Sequence, residues 1–272
     1  MAVLDVEIAP PPKPQKWTKS KIIGTGALAV WIAIGLGIVI HFVTNFDADF
    51  FNRYAPRMLG GLGTTLQIVG LSIVIGAALS IPLTWARMSK NAIAGSIAYC
   101  YVYFFRGTPL LAQVFLIYYG AGQFRPFFEN IGLWWFFRDA VNCAVFAFAL
   151  NTAAYQAEIY KGAIQALPKG QWEGAHALGL PKTVAFFKVI LPQALITALR
   201  PLGNEVILMI KGSAIASVIT VFDLMGETRL AFSRSFDFQV YIWAALMYLA
   251  IVEVLRRIWD WLEIRLTRHL VR

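Results

Sequence analysis

The chain has 272 residues, of which 58% are hydrophobic and only 14% are charged, and its formal net charge is +9. Soluble domains carry about a quarter charged residues, so this composition excludes an ordinary soluble protein. Because the apolar residues are gathered in long runs, it predicts an all-α, polytopic helical membrane protein. The basic residues mostly flank those runs, which is typical of membrane loops and argues against nucleic acid as a partner.

The amino-terminal part changes abruptly from polar to apolar. Residues 1–21 combine prolines with lysines and predict an extended cytoplasmic tail, because such a segment cannot bury enough apolar surface to fold. Residues 22–43 are apolar over a length that would cross the roughly 30 Å hydrocarbon core of a bilayer as a helix. Residues 45–57 hold both acidic and basic side chains, so residues 22–57 are expected to form one membrane helix and an external loop.

Three further spans are predicted over residues 58–86, 93–119 and 139–158. The second span is rich in glycines and hydroxyl side chains, among them Thr65, which permit close packing of helices or face a water-filled path. Arg106 falls inside the third span, where a charge is costly unless it meets protein or a cavity. It is therefore expected either to line a cavity or to pair with a buried carboxylate such as Glu158 or Glu205.

The fifth span, over residues 194–220, is the least lipid-like, and a sixth follows over residues 238–262. The fifth contains Asn204, Glu205, Lys211 and Ser213, so it is expected to line the interior of the protein. Asn204 and Lys211 are seven residues apart and share a helical face, whereas Glu205 points about a third of a turn away. Six spans, with most of the 24 basic residues on one side, predict that both termini are cytoplasmic.

The cytoplasmic segment over about residues 160–192 carries a pattern of small residues. Glu173, Gly174 and Ala175 are followed by Gly179 and, after nine residues, by Val189, and the pattern closes at Leu191-Pro192. This spacing resembles the Glu-Ala-Ala coupling loop of ABC-importer permeases, with Gly174 in place of the second alanine and Val189 in place of isoleucine. The alternative is an ordinary loop helix whose small residues serve local packing.

Three other phrases strengthen the resemblance. They are Phe105-Arg106-Gly107-Thr108-Pro109-Leu110, Leu150–Ile159 and Asn204-Glu205-Val206-Ile207-Leu208-Met209. Together with the loop they resemble the permeases of polar amino-acid ABC importers, in the histidine, lysine, arginine, ornithine and opine branch. The resemblance covers about residues 58–268 and implies a type I ABC-importer permease fold, preceded by the additional helix.

The resemblance also implies partners and roles. A second permease subunit, two ATPase subunits and an extracytoplasmic amino-acid-binding protein would complete an importer in the bacterial inner membrane, surrounded by lipid. Polar L-amino acids, in particular basic ones, would enter by alternating access. The coupling contacts would be Glu173, Gly174, Ala175, Gly179, Leu191 and Pro192, and the substrate path would include Asn204 and Glu205, with Thr65 and Ser213 behind them. Glu205 could instead pair with Lys211 or Arg106.

The chain lacks the machinery to hydrolyse ATP. Its Gly179-Leu180-Pro181-Lys182-Thr183 run does not have the spacing of a phosphate-binding loop and has no second glycine. We therefore expect no bound cofactor, with ATP and magnesium used by a partner ATPase. The scattered histidines and two apolar-embedded cysteines predict neither a metal site nor an enzyme. A secondary amino-acid transporter driven by an ion gradient is the alternative function, with Glu205 as a proton carrier.

Overall fold

The computed structural model describes residues 18–44 and 47–268. These residues form twelve α-helices and contain no strand, which confirms the all-α prediction. The helices are α1 (Lys19–Thr44), α2 (Ala48–Met88), α3 (Ala92–Gly107), α4 (Leu110–Gln123), α5 (Arg125–Asn130), α6 (Trp134–Phe137), α7 (Ala140–Gln165), α8 (Lys169–Ala177), α9 (Lys182–Ala185), α10 (Leu191–Gly212), α11 (Leu224–Ser235) and α12 (Gln239–Thr267). Nearly all of the predicted amino-terminal tail lies outside the described residues.

The chain divides into two compact units, Met1–Phe51 and Asn52–Arg272. The first unit contains α1, whose apolar stretch Lys19–His41 is long enough to cross a membrane. The second unit contains the remaining helices from most of α2 onward. The prediction of one additional amino-terminal membrane helix therefore corresponds to α1.

Helix length and apolar composition identify the membrane spans among the described residues. Four segments qualify, namely Lys19–His41, Ala48–Met88, Lys182–Ile219 and Gln239–Thr267, and α3 with α4 makes a fifth if this bent pair is one span. The fourth predicted span, over residues 139–158, corresponds to α7, which does not meet the same test of apolar composition. Half of the residues of α7 are buried, so protein rather than lipid surrounds much of it.

The predicted third span is broken in the middle. Thr108 has extended backbone angles (φ −111°, ψ 149°), and the axes of α3 and α4 differ by 105°. The cause is local, because the ring of Pro109 disfavours helical angles at the preceding residue. The predicted span over residues 93–119 therefore consists of two helices, and the break places Arg106 at the end of α3.

Helix α7 lies at the centre of the second unit. Gly76 of α2 approaches it so closely that a methyl group in place of its hydrogen would collide with the side chain of Thr152. The largest fully buried side chain of the core is Phe148, which packs with Ile68, Val114 and Ile210 from α2, α4 and α10. Small residues therefore set the distance between α2 and α7, as expected for helices that pack in lipid.

Helix α10 continues directly from the segment that contains the predicted coupling loop. Residues Phe186–Ile190 form a π-helical turn that runs directly into α10, and Pro192 occupies the first turn, where its missing N–H is tolerated. After Gly212 the helix tightens into a 3-10 segment, Ser213–Ile219, which ends at Thr220. At Gly203, α10 meets the indole of Trp259 on α12, whose Nε1 donates a hydrogen bond to the Leu199 carbonyl at 2.6 Å.

Candidate functional site

Helix α8 coincides with the predicted coupling loop and is terminated by Gly179. This glycine has φ +70°, a left-handed conformation that side chains disfavour. The Gly179 amide donates to the His176 carbonyl at 2.9 Å, and the Leu180 amide donates to the Ala175 carbonyl at 3.1 Å. Both bonds are those of a Schellman motif, which ends the helix and satisfies its last carbonyl groups.

The outer surface of α8 is open, and most of its small residues are not required by packing inside the chain. Glu173 and Gly174 are exposed, and a Cβ atom at Gly174 would have no neighbour within 4 Å. Leu178 is 80% exposed, whereas Ala175 is buried against the protein. We define Glu173, Gly174 and Leu178 as the coupling surface, since a second protein could approach its backbone closely there.

Helix α8 is connected to α10 by side chains. Gln193 donates a hydrogen bond from Nε2 to Oε1 of Gln171 at 3.0 Å and a second one to the Val189 carbonyl at 2.9 Å. Trp172 stacks against Phe186 with ring centroids 6.5 Å apart. Leu191 is half-buried and Pro192 is exposed at the start of α10, so these two residues of the sequence pattern begin the helix that carries Glu205.

A buried polar cluster joins α7 to α10 in the middle of both helices. The Thr152 hydroxyl donates to Glu205 Oε1 at 2.8 Å, and Gln156 donates from Nε2 to the Thr152 hydroxyl at 3.2 Å. Glu205 is only 6% exposed. Within the part of the chain described here, no cation pairs with this carboxylate; its hydrogen-bond partner is a neutral hydroxyl. The cluster therefore contains a buried carboxyl group that is hydrogen-bonded but forms no ion pair with a described residue.

A second set of amides secures the break between α3 and α4. Gln113 donates from Nε2 to the Phe105 carbonyl at 2.9 Å and to the Thr108 hydroxyl at 2.8 Å. Asn151 donates to the same Phe105 carbonyl at 3.0 Å and to Gln113 Oε1 at 2.9 Å. These bonds satisfy carbonyl groups that the end of α3 leaves without helical partners, as required within a membrane.

Arg106 lines a cavity rather than pairing with either proposed carboxylate. Its guanidinium lies over the ring of Tyr155 at 5.2 Å from the centroid, a cation–π arrangement. Glu158 instead pairs with Arg87 at 2.8 Å and with Lys161 at 3.6 Å. Arg106 and this ion pair border the same cavity of about 290 Å³.

The two polar faces of α10 are separated as its periodicity predicts. Asn204 and Lys211 are both exposed, whereas Glu205 is buried against α7. In the described part of the chain, neither Lys211 nor Arg106 forms an ion pair with Glu205. A lysine and an asparagine on one exposed face of a membrane helix indicate a surface that meets water or another protein rather than lipid.

Thr65 and Ser213, predicted to lie behind the substrate path, form hydrogen bonds with groups other than Asn204 and Glu205. The Thr65 hydroxyl lies 3.5 Å from a carboxylate oxygen of Asp223 and accepts the Leu224 amide at 3.0 Å, while Ser213 donates to the Ile210 carbonyl at 2.8 Å. Asp223 follows the membrane span of α10 and caps α11 by accepting the Gly226 amide at 2.8 Å. Burial raises the pKa of the Asp223 carboxyl to about 6.

The sequence-based site omitted several residues that the structure brings together. Thr152, Gln156 and Asn151 belong to the Leu150–Ile159 phrase, but only their packing against α10 and α3 reveals their partners. Gln113 was not singled out, although an amide within an apolar helix was an available signal. Asp223, whose side chain is completely buried, was not among the candidate residues either.

Comparison with known proteins agrees with this architecture. Residues 72–268 match the family model of the binding-protein-dependent transport system inner membrane component. The nopaline transport system permease protein of Agrobacterium fabrum is 42% identical over 213 residues, 78% of this chain and 88% of that protein. The arginine ABC transporter permease protein of Haemophilus influenzae is 39% identical over 205 residues, 75% of this chain and 89% of that protein.

A solved structure supports the same assignment. The crystal structure of an amino acid ABC transporter with histidines superposes with a TM-score of 0.72 at 34% sequence identity, over 81% of this chain and 99% of that one. The type I importer fold implied by the sequence is thus confirmed, and the secondary-transporter alternative is not favoured. The chain belongs to the family of binding-protein-dependent transport system inner membrane components, the multi-pass permease subunits of ATP-driven importers that leave ATP hydrolysis to a separate subunit.

Proposed function

We propose that this chain is the permease subunit of an importer for basic L-amino acids or their opine relatives. It would work as one of two permeases, with two ATPase subunits that use ATP and magnesium, an extracytoplasmic amino-acid-binding protein and surrounding lipid. Both termini would be cytoplasmic. The observation that carries the substrate class is the buried Glu205 carboxyl group, which forms no ion pair among the described residues.

A cationic substrate would supply the missing charge. A buried carboxylate without an ionic partner is costly, and its hydrogen bond from Thr152 offsets only part of that cost. An α-ammonium, guanidinium or side-chain ammonium group that reached Glu205 would be favoured over a neutral group at the same place. The relatives named for arginine, nopaline and octopine transport agree with a cationic or guanidinium-bearing substrate.

The exposed face of α10 is the proposed lining of the path. Asn204 and Lys211 lie on it, next to the buried Glu205. In a dimer of permeases this face would meet its counterpart around a water-filled passage, where both side chains could remain hydrated. Lys211 would attract the carboxylate of an amino acid, while Glu205 would attract a positive group.

The coupling surface is the proposed ATPase contact. Closure of the two ATPase subunits would move α8, and the Gln171–Gln193 hydrogen bond would transmit that movement to α10. A shift of α10 relative to α7 would change access to Glu205, because Thr152 and Glu205 bridge these two helices. Transport would then be alternating access between two states whose populations nucleotide binding controls.

The substrate assignment is tested by Glu205→Gln in proteoliposomes that contain the complete importer. Glutamine keeps an oxygen that accepts the Thr152 hydrogen bond but removes the charge. Because a hydrogen bond to a charged group contributes about 1.5–3 kcal/mol, arginine uptake should fall roughly tenfold or more. Uptake of a neutral amino acid such as glutamine, measured in the same vesicles, should fall much less.

The matched control is Glu129→Gln, which removes an exposed carboxylate of α5 paired with Arg125. It should leave both uptake rates unchanged. If Glu205→Gln transports cationic and neutral amino acids with the same relative rates as the unchanged protein, Glu205 does not select the substrate.

Partner binding is tested separately by co-purification of the tagged chain from native membranes. The unchanged protein should retain an ATPase, whereas Glu173→Arg and Gly174→Leu should lose it, because a new charge or a bulky side chain would prevent close approach. Gly162→Leu is the control, since Gly162 is also an exposed helical glycine with no neighbour within 4 Å of a Cβ atom. Retention of the ATPase by both α8 variants would contradict the proposed contact.

A further inference from the structure

A large apolar groove lies at the end of the helix bundle that carries the coupling surface. Its volume is about 930 Å³, and α2, α7 and α10 contribute to its walls together with the segment from α8 to the π-helical turn. Several of its large side chains are more than half exposed, namely Ile81 (56%), Trp85 (55%) and Phe187 (52%). The groove is separate from the cavity beside Arg106. None of the residues predicted to form the substrate path lines it.

The lining of the groove matches the boundary between acyl chains and lipid headgroups. The ring centroid of Phe186 lies 5.1 Å from that of Trp85 and 6.5 Å from that of Trp172. Tryptophan is enriched at this boundary because its ring has an apolar body and one N–H donor. The rest of the lining is largely aliphatic, with Ala78 and Leu195 among its residues. This arrangement fits acyl chains in the groove and a headgroup at its edge.

The charged side chains next to the groove indicate which class of lipid headgroup it would favour. Lys90 follows the lining residue Ser89, and Lys188 follows the lining residue Phe187; both lysines are exposed. Within the residues that the structure describes, neither lysine forms an ion pair. The nearby Glu158 is already paired with Arg87 and Lys161, which leaves exposed Glu173, next to the lining residue Trp172, as the acidic neighbour.

We infer that this groove binds an anionic phospholipid of the cytoplasmic leaflet, with its acyl chains between α2 and α10 and its phosphate at Lys90 and Lys188. Basic pockets between membrane helices are known to hold anionic headgroups on the cytoplasmic side. The aromatic rings would hold the glycerol region, and the two lysines would favour a negative headgroup over a zwitterionic one. This site is independent of the substrate path.

The test uses the purified full-length chain in phosphatidylcholine vesicles and measures quenching of tryptophan fluorescence by brominated acyl chains. Brominated phosphatidylglycerol is titrated in one series and brominated phosphatidylcholine in another. The chain has nine tryptophans, so general contact with lipid quenches in both series. An additional component that saturates at a low mole fraction is expected with phosphatidylglycerol alone. Trp85→Phe should reduce it, and Trp172, the other tryptophan that lines the groove, should account for the remainder.

Four variants locate the headgroup and the acyl chains. Lys90→Gln and Lys188→Gln should each raise the half-saturating phosphatidylglycerol fraction about fivefold, the effect of one basic residue near an anionic surface. Lys182→Gln, an exposed lysine with no lining residue beside it in the sequence, should leave it unchanged. Ala78→Phe fills the groove and should reduce the saturable quenching, whereas Leu79→Phe, outside the groove, should not.

Three results would overturn the inference. Equal saturation by phosphatidylglycerol and phosphatidylcholine would exclude headgroup selection by the lysines. A saturable component of unchanged size in both Trp85→Phe and Ala78→Phe would place the lipid elsewhere. Absence of a saturable component in the unchanged protein would mean that the groove holds no lipid and is covered by protein, such as a second permease subunit.

Discussion

Gln193, at the start of α10, donates a hydrogen bond of 3.0 Å to Gln171 in the first turn of α8. The two residues are 22 positions apart in the sequence, and their bond joins the helix with the coupling surface to the helix with Glu205. Gln193 also donates to the Val189 carbonyl in the π-helical turn. A displacement of α8 therefore reaches α10 through a direct side-chain contact.

Replacing Gln193 by leucine should separate ATP hydrolysis from transport. The variant loses both hydrogen bonds of the amide, while the coupling surface stays intact, so the ATPase should still bind and hydrolyse ATP. Net hydrogen bonds of this kind contribute about 0.5–1.5 kcal/mol. We expect amino acid imported per ATP to fall by roughly two- to tenfold, measured by parallel uptake and phosphate-release assays in proteoliposomes.

The control for this prediction is Thr197→Val, one turn further along α10. It removes a hydrogen bond from the Thr197 hydroxyl to the Gln193 carbonyl that remains within the helix. Import per ATP should be unaffected in this variant. An unchanged ratio in Gln193→Leu as well would show that movement reaches α10 by another contact, such as Trp172 against Phe186.

The contact between Gly76 and Thr152 should be intolerant of a single methyl group. In Gly76→Ala the new Cβ atom collides with the Thr152 side chain, whose hydroxyl holds Glu205. Overpacking of this kind costs about 1–3 kcal/mol. We expect a lower thermal unfolding temperature in detergent, together with reduced arginine uptake because the Thr152 hydroxyl moves away from Glu205.

Gly70→Ala on the same helix provides the comparison. A Cβ atom at Gly70 meets nothing within 4 Å, so alanine should be neutral or stabilise the helix by up to about 1 kcal/mol. Equal unfolding temperatures for Gly76→Ala and Gly70→Ala would mean that α2 and α7 can separate enough to accept the methyl group.

Acidification should stabilise the region around Asp223. The pKa of this carboxyl is about 6 in the folded protein, above its ordinary value of 3.8, so the folded state takes up the proton first as the pH falls. The free energy of unfolding should therefore increase, by roughly 1 kcal/mol between pH 7.5 and pH 5.5. Unfolding in detergent, followed across this pH range, measures the change.

Asp223→Asn should remove that part of the pH dependence. The asparagine side chain can still accept the Gly226 amide and cap α11, but it does not titrate. If the variant and the unchanged protein gain the same stability on acidification, the responsible group lies elsewhere.

Local sequence determined where α8 ends and which segments are long and apolar enough to span a membrane. The end of α8 at Gly179 follows from neighbouring backbone groups alone, because a Schellman motif needs only one residue that accepts positive φ. The spans follow from length and apolar composition, since a helix in lipid must satisfy its own backbone. The phrases around Arg106, Glu173 and Glu205 were sufficient to indicate the family.

Tertiary structure decided which polar groups meet. Glu205 is held by Thr152, 53 positions earlier, and the carbonyl freed at the end of α3 is held by Gln113 and Asn151. Thr65, expected behind the substrate path, contacts Asp223 instead. Periodicity gives the face of a helix on which a side chain lies but not the neighbouring helix it meets, and that depends on close approaches such as Gly76 against Thr152.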